Sequence, residues 1–152
     1  MTVSRRTRIA GSVMVEFTLS MTFLIPLFLG ACTFGYGFYL YSRLQNAVRS
    51  GARYASTLKY DSGDSTPTTA FQTAVQKMAV YGDPAADTAT ATPVAPNLTT
   101  ANVVLTVTFS SGAPAGMTVA ITGYTLPAYL GNITLRNKPF AYFPFTGLWG
   151  PP

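Results

Sequence analysis

Histidine is absent from the 152 residues, and cysteine occurs once, at Cys32. Catalysis by a Ser-His-Asp or Cys-His set, a zinc site built from His and Cys, and an intrachain disulfide are therefore excluded. Charge is scarce as well. Lys, Arg, Asp and Glu make up 10 % of the chain against 48 % hydrophobic residues, and the mean hydropathy is +0.27. That balance excludes a disordered, highly charged chain. The shortage is also concentrated: from Phe17 to Tyr41, 25 residues pass without one Asp, Glu, Lys or Arg. An ordinary soluble globule does not carry such a run. At 16.2 kDa there is room for one compact domain with an appendage.

The charge that is present sums to +5, which suggests nucleic acid until it is mapped. Arg5, Arg6 and Arg8 precede the uncharged run, and Arg43, Arg49, Arg53 and Lys59 follow it, leaving Lys77, Arg136 and Lys138. Basic residues flanking an apolar run serve membrane topology, whereas a nucleic-acid surface needs them clustered on a folded face. Nucleic acid is not an expected partner.

The composition divides the chain into four stretches: a basic leader, 1–11; a helix, 12–59; a linker with a short helix, 60–101; and a small β-rich domain, 102–152. The fold class expected is α+β, with an antiparallel sheet. As a helix the uncharged run is about 37 Å long, more than the roughly 30 Å hydrocarbon core of a bilayer. It reads as a single membrane span, in which Pro26 is tolerated as a kink. The helix is expected to continue beyond the bilayer. Leu40, Leu44, Ala47, Val48, Gly51, Ala52, Ala55 and Leu58 share one arc, and Ser42, Gln45, Asn46, Arg49, Ser50, Arg53, Ser56 and Thr57 share the other. Ala47, Gly51 and Ala55 form a small-residue seam. Either another helix or the protein's own domain packs there.

Past the polar segment Asp61–Pro67, Thr69-x-x-Gln72 fits a capping box. The helix it opens has Ala70, Phe71, Ala74, Val75, Met78 and Ala79 on one face, and Gly82 and Asp83-Pro84 end it. Residues 85–101, rich in Ala, Thr and Pro, read as an exposed linker. Strands are expected at 103–109 and 117–122 around a turn at Ser111–Pro114, with a third through 133–136. The aromatic tail from Phe140 is either a lid over a small core or a docking surface.

Glu16 is the only charge between Arg8 and Arg43. A carboxylate at the mouth of an apolar helix costs a few kcal/mol on insertion scales, so it needs a partner, a role or an interfacial position. Gly11 lies five residues before it, directly after the basic leader. This arrangement resembles the type IV prepilin processing site. The resemblance extends through Leu24-Ile25-Pro26-Leu27-Phe28-Leu29, Phe34-Gly35 and Leu44-Gln45-Asn46-Ala47-Val48-Arg49-Ser50-Gly51-Ala52-Arg53-Tyr54-Ala55. Together these are similar to the TadE-like family, minor pseudopilins of the tight-adherence (Flp-type) pilus, over roughly a third of the chain. Many relatives carry an acidic residue where this chain has Thr33.

The resemblance implies cleavage by a prepilin peptidase between Gly11 and Ser12, and pairing of Glu16 with a neighbouring subunit's new N-terminal amine. It also implies a single-pass protein of the bacterial cytoplasmic membrane with its C-terminal domain outside. The partners implied are other pilins and pseudopilins, the pilus assembly machinery and membrane lipid, and the task is pilus assembly and surface adhesion. No cofactor, metal or enzymatic activity is expected.

Rival signals are weaker. Leu29-Gly30-Ala31-Cys32 satisfies a lipoprotein box, but Glu16 and the apolar residues after Cys32 do not suit one. A membrane-anchored periplasmic scaffold without a pilus role is the remaining alternative. Ser4-Arg5-Arg6 resembles a twin-arginine signal, which a basic leader explains equally well. Asp61 and Asp64 read as turn residues rather than a calcium pair, and Asn97-Leu-Thr and Asn132-Ile-Thr as chance acceptor motifs.

Overall fold

The computed structural model describes residues 4–126 and 132–150, with side chains from residue 12 onward. In chain order the elements are α1 (Ser4–Thr57), α2 (Thr69–Tyr81), a 3₁₀ turn (Thr100–Asn102), β1 (Val103–Ser110), β2 (Ala113–Ile121), β3 (Thr125–Leu126), β4 (Ile133–Thr134) and β5 (Phe140–Pro144). The fold is α+β, with a long apolar helix at its N-terminal end and antiparallel strands, as the sequence leads one to expect. It comprises two compact units, Met1–Tyr36 and Gly37–Pro152.

The first unit is helical. Pro26 lies inside α1 without ending it. Its large apolar side chains face outward: Phe23 is 78 % exposed and Leu27 74 %. The hydroxyls of Thr18, Thr22 and Thr33 donate to the carbonyls of Met14, Thr18 and Leu29, each at 2.8 Å. These bonds satisfy the hydroxyls without water, as an apolar solvent requires.

In the second unit the same helix changes character. Leu40, Leu44, Val48, Ala52 and Ala55 are buried in the core at helical spacing. Fully burying each leucine contributes about 1.5–3 kcal/mol. Phe71, Val75, Ala79 and Val80 of α2 join that core, as do Leu105, Val107, Met117, Val119 and Ile121 from one face of the sheet. Ser56, placed on the polar arc by the sequence, is instead buried, its hydroxyl donating to the Arg53 carbonyl at 2.8 Å.

Helix α2 starts one residue earlier than the capping box suggests. Thr68 is the N-cap, accepting from the Phe71 amide at 3.3 Å, and its own hydroxyl donates to the Asp61 carboxylate at 2.9 and 3.0 Å. That second bond holds Thr68, rather than Thr69, in the capping position. Gly82 closes the helix in the left-handed region at φ 75°, with its amide on the Met78 carbonyl.

The segment expected to be an exposed linker is partly core. Ala95 is 0 % and Leu98 2 % exposed. The Val94 amide donates to the Val80 carbonyl at 2.8 Å, and the hydroxyl of buried Tyr124 donates to the Pro96 carbonyl at 2.8 Å. These distant partners recruit a segment whose composition alone reads as solvated.

Strands β1, β2 and β5 form an antiparallel sheet in that order, and β3 pairs with β4. The β1–β2 turn is tighter than predicted, two residues rather than four. Ser111 (φ 54°) and Gly112 (φ 79°) carry it, the backbone region that suits the twist of a hairpin. The third predicted strand shrinks to Ile133–Thr134 and pairs outside the main sheet. The tail supplies the third main strand instead. Val119 pairs with Ala141 and Met117 with Phe143, so Ala141, Phe143 and Phe145 turn toward the core while Phe140 and Tyr142 stay exposed.

Candidate functional site

On the first unit, the residues singled out in the sequence lie on the exposed surface of α1. Ser12 and Glu16 are exposed, and so is Cys32, with helix running unbroken on both sides of it. The backbone at Gly11 is helical and continuous with α1. The side chains of Arg5, Arg6 and Arg8 lie outside the described residues. Among the described residues one helix is long and apolar enough to cross a membrane, and none of its most apolar window is buried. It is compatible with a single-pass anchor.

On the second unit, Ala47, Gly51 and Ala55 are buried. A Cβ built on Gly51 would meet the Ala79 Cβ at 2.9 Å. Of the two destinations the sequence leaves open for this seam, the chain's own α2 occupies Gly51. Close approach of the two helices is what the glycine permits. Nearby on α1, Arg43 donates to the Tyr39 hydroxyl at 3.3 Å and lies 5.7 Å from the centre of its ring.

The tail is tied to the end of α1 and to the segment that follows it by hydrogen bonds. Thr146 donates to the Ser56 carbonyl at 2.9 Å, Tyr60 donates to Leu148 at 2.8 Å, and the Trp149 indole donates to the Ser62 carbonyl at 3.2 Å. Beneath it Tyr60 is fully buried, edge-on to Phe71, Phe109 and Phe145 at 5.2–6.4 Å, and donates to the Asp64 carbonyl at 2.7 Å. Burial pushes the Tyr60 phenol above its ordinary value. The Ser62 side chain offsets part of the rise, and the Asp64 and Asp61 carboxylates add to it. Tyr60 was not singled out by sequence, because nothing local marks it as the meeting point of four elements.

Asp61 and Asp64 act as backbone supports. Asp61 anchors the α2 cap, and the Asp64 carboxylate accepts from the Thr66 amide at 2.7 Å. No group of three metal-ligating side chains occurs among the described residues. Asn97 and Asn132 are exposed. The sequence reading also missed a groove that brings Arg49 and Arg53 of α1 beside Met78 of α2 and Phe143 of β5. The i, i+4 arginines are visible in the sequence, but their apolar neighbours require the tertiary fold.

An exposed apolar helix with one carboxylate near its start, followed in the chain by a small α+β unit, is the arrangement of a protein class compatible with a single-pass anchor. Residues 11–53 match the model of a family described as TadE-like protein. The family is pilus-associated and structural, and is not known as enzymatic. No curated protein and no solved structure matches the chain.

Proposed function

We propose that this chain is a minor pseudopilin of a tight-adherence (Flp) pilus, acting in pilus assembly and surface adhesion. A prepilin peptidase removes residues 1–11, Ser12 becomes the mature N-terminus, and α1 anchors the chain in the bacterial cytoplasmic membrane. The second unit lies outside the cytoplasm. The observation that supports this reading is positional: the TadE-like match begins at Gly11 and takes in Glu16, the one carboxylate of the exposed apolar helix.

The chemistry assigned to that carboxylate is intermolecular. After cleavage, Glu16 pairs with the Ser12 ammonium of a neighbouring subunit at the bilayer edge. In a low-dielectric setting, removing one member of such a pair strands the other charge. Glu16→Gln should therefore insert and be processed normally, yet lose crosslinks to other pilins at matched membrane levels. Intact-mass analysis of the membrane protein should give a chain starting at Ser12, and Gly11→Val should block its formation. A full-length Met1 chain in cells with active prepilin peptidase would overturn the proposal. Lipid on Cys32 would replace it with the lipoprotein reading.

A further inference from the structure

We propose that the groove between α1, α2 and β5 binds an acidic segment of a partner protein, one that places a carboxylate beside an apolar side chain. The groove is an open depression of about 530 Å³ on the second unit. Its rim carries Arg49 and Arg53, both exposed and four residues apart, so both guanidinium groups rise from the same face of α1. Two like charges in that arrangement repel each other, and an anion between them relieves the repulsion.

The donor set defines the ligand. The Ser50 hydroxyl donates to the Ala47 carbonyl at 2.9 Å and the Thr57 hydroxyl to the Tyr54 carbonyl at 3.1 Å. The charged donors that the groove offers are therefore the guanidinium N–H groups of Arg49 and Arg53. Such a set fits a carboxylate, which only accepts. The floor is apolar: Met78 and Phe143 are half-buried, so part of each stays open to a ligand side chain. The acidic residues of this unit are Asp61, Asp64, Asp83 and Asp87, and none lines the groove. A carboxylate seated between these arginines is therefore one supplied by another molecule.

A lipid phosphate satisfies the same charge but not the position. At 1.5 Å per residue, Arg49 and Arg53 lie about 12 and 18 Å along α1 beyond Tyr41, the end of the uncharged run. The headgroup layer is only about 5–7 Å deep on each side of the hydrocarbon core. Arg43 is nearer that layer, and Tyr39 already engages it. The proposal does not rest on the pilus reading, since it holds for any anchored protein with this domain.

The test uses the full chain in phosphatidylcholine nanodiscs and two fluorescent peptides, one repeating Glu-Glu-Leu and one repeating Gln-Gln-Leu. The Glu peptide should bind and the Gln peptide should not. The double variant Arg49→Gln/Arg53→Gln should bind the Glu peptide at least about tenfold more weakly. Arg43→Gln should leave binding within about twofold, and Phe143→Ala should weaken it with an unchanged Arg pair. Trp149 emission checks that each variant is folded. Equal loss from Arg43→Gln would show general charge attraction and overturn the proposal. So would displacement of the Glu peptide by phosphatidylglycerol in the nanodisc, which assigns the groove to lipid. Self-crosslinking that is lost in the double variant would assign the groove to a second copy and overturn the proposal.

Discussion

The two units use apolar residues in opposite ways. In the first, Phe23, Leu27, Phe28 and Phe34 are each more than two-thirds exposed, while in the second Leu40, Leu44 and Val48 are at most 1 % exposed. All seven belong to one unbroken helix. Local sequence therefore does not decide which side chains of α1 are covered. The cover comes from elsewhere in the chain: α2, β1 and β2 supply it for the second unit. The first unit is left with an exposed apolar surface, which is compatible with a lipid environment or a neighbouring apolar helix.

The sharpest way to break this contrast is at Tyr60, where the second unit's cover converges. Tyr60→Ala removes a fully buried ring with three aromatic neighbours and should destabilise that unit by about 3–5 kcal/mol, read by thermal unfolding in detergent. Helicity of the first unit, measured on the same sample, should survive the transition. Tyr60→Phe keeps the ring and removes the hydroxyl with its bond to the Asp64 carbonyl, at a cost of about 1 kcal/mol near neutral pH. That difference should depend on pH. The folded-state phenol ionises above its ordinary value, so its contribution is fully present below the unfolded value of about 10 and is lost as pH rises through the higher folded one. The gap between wild type and Tyr60→Phe should shrink in alkali, and a gap that is constant from neutral pH upward would contradict the burial argument.

Next in size is the helix contact at Gly51. A valine there would push into Ala79, whose Cβ a Gly51 Cβ would already meet at 2.9 Å. Overpacking of this kind costs about 1–3 kcal/mol. The same melting experiment reads it, and an unchanged transition would show that α1 and α2 do not pack closely at this point.

How much of this contrast was legible in the sequence depends on the range of the interactions involved. The uncharged run, the buried stripe from Leu40 to Ala55 and the end of α2 at Gly82 follow from period and local chemistry, and all were readable. Ser56 was misplaced because the tail, ninety residues away through Thr146, closes over its side of the helix. Ala95 and Leu98 were missed because Val80 and Tyr124 draw that segment inward. Phe140–Pro144 was not recognised as a strand, since its aromatic and proline content resembles a loop until its pairing with β2 is known. The groove beside Arg49 and Arg53 shares that origin: half of it is readable as helix spacing, and Phe143 arrives only with the tail.

The smallest expected effect on folding comes from the first unit, and it is the informative one. Gly35 has nothing within 4 Å of where a Cβ would stand, and the same is true of Gly30. Gly35→Ala should leave the unfolding of the second unit unchanged and strengthen the local helix by about 0.5–1 kcal/mol, because alanine loses less backbone freedom. Gly35→Leu should also melt like wild type, in clear contrast to Gly51→Val. If the exposed surface of this unit exists only to meet lipid, both Gly35 variants should also match wild type in crosslinking to neighbouring membrane proteins. If partner helices approach it, Gly35→Leu should lose crosslinks while Gly35→Ala loses few, a graded response that lipid contact does not produce. Because a Cβ at Gly35 meets nothing within 4 Å among the described residues, and unchanged melting checks the second unit, a loss of crosslinking then reads association between molecules.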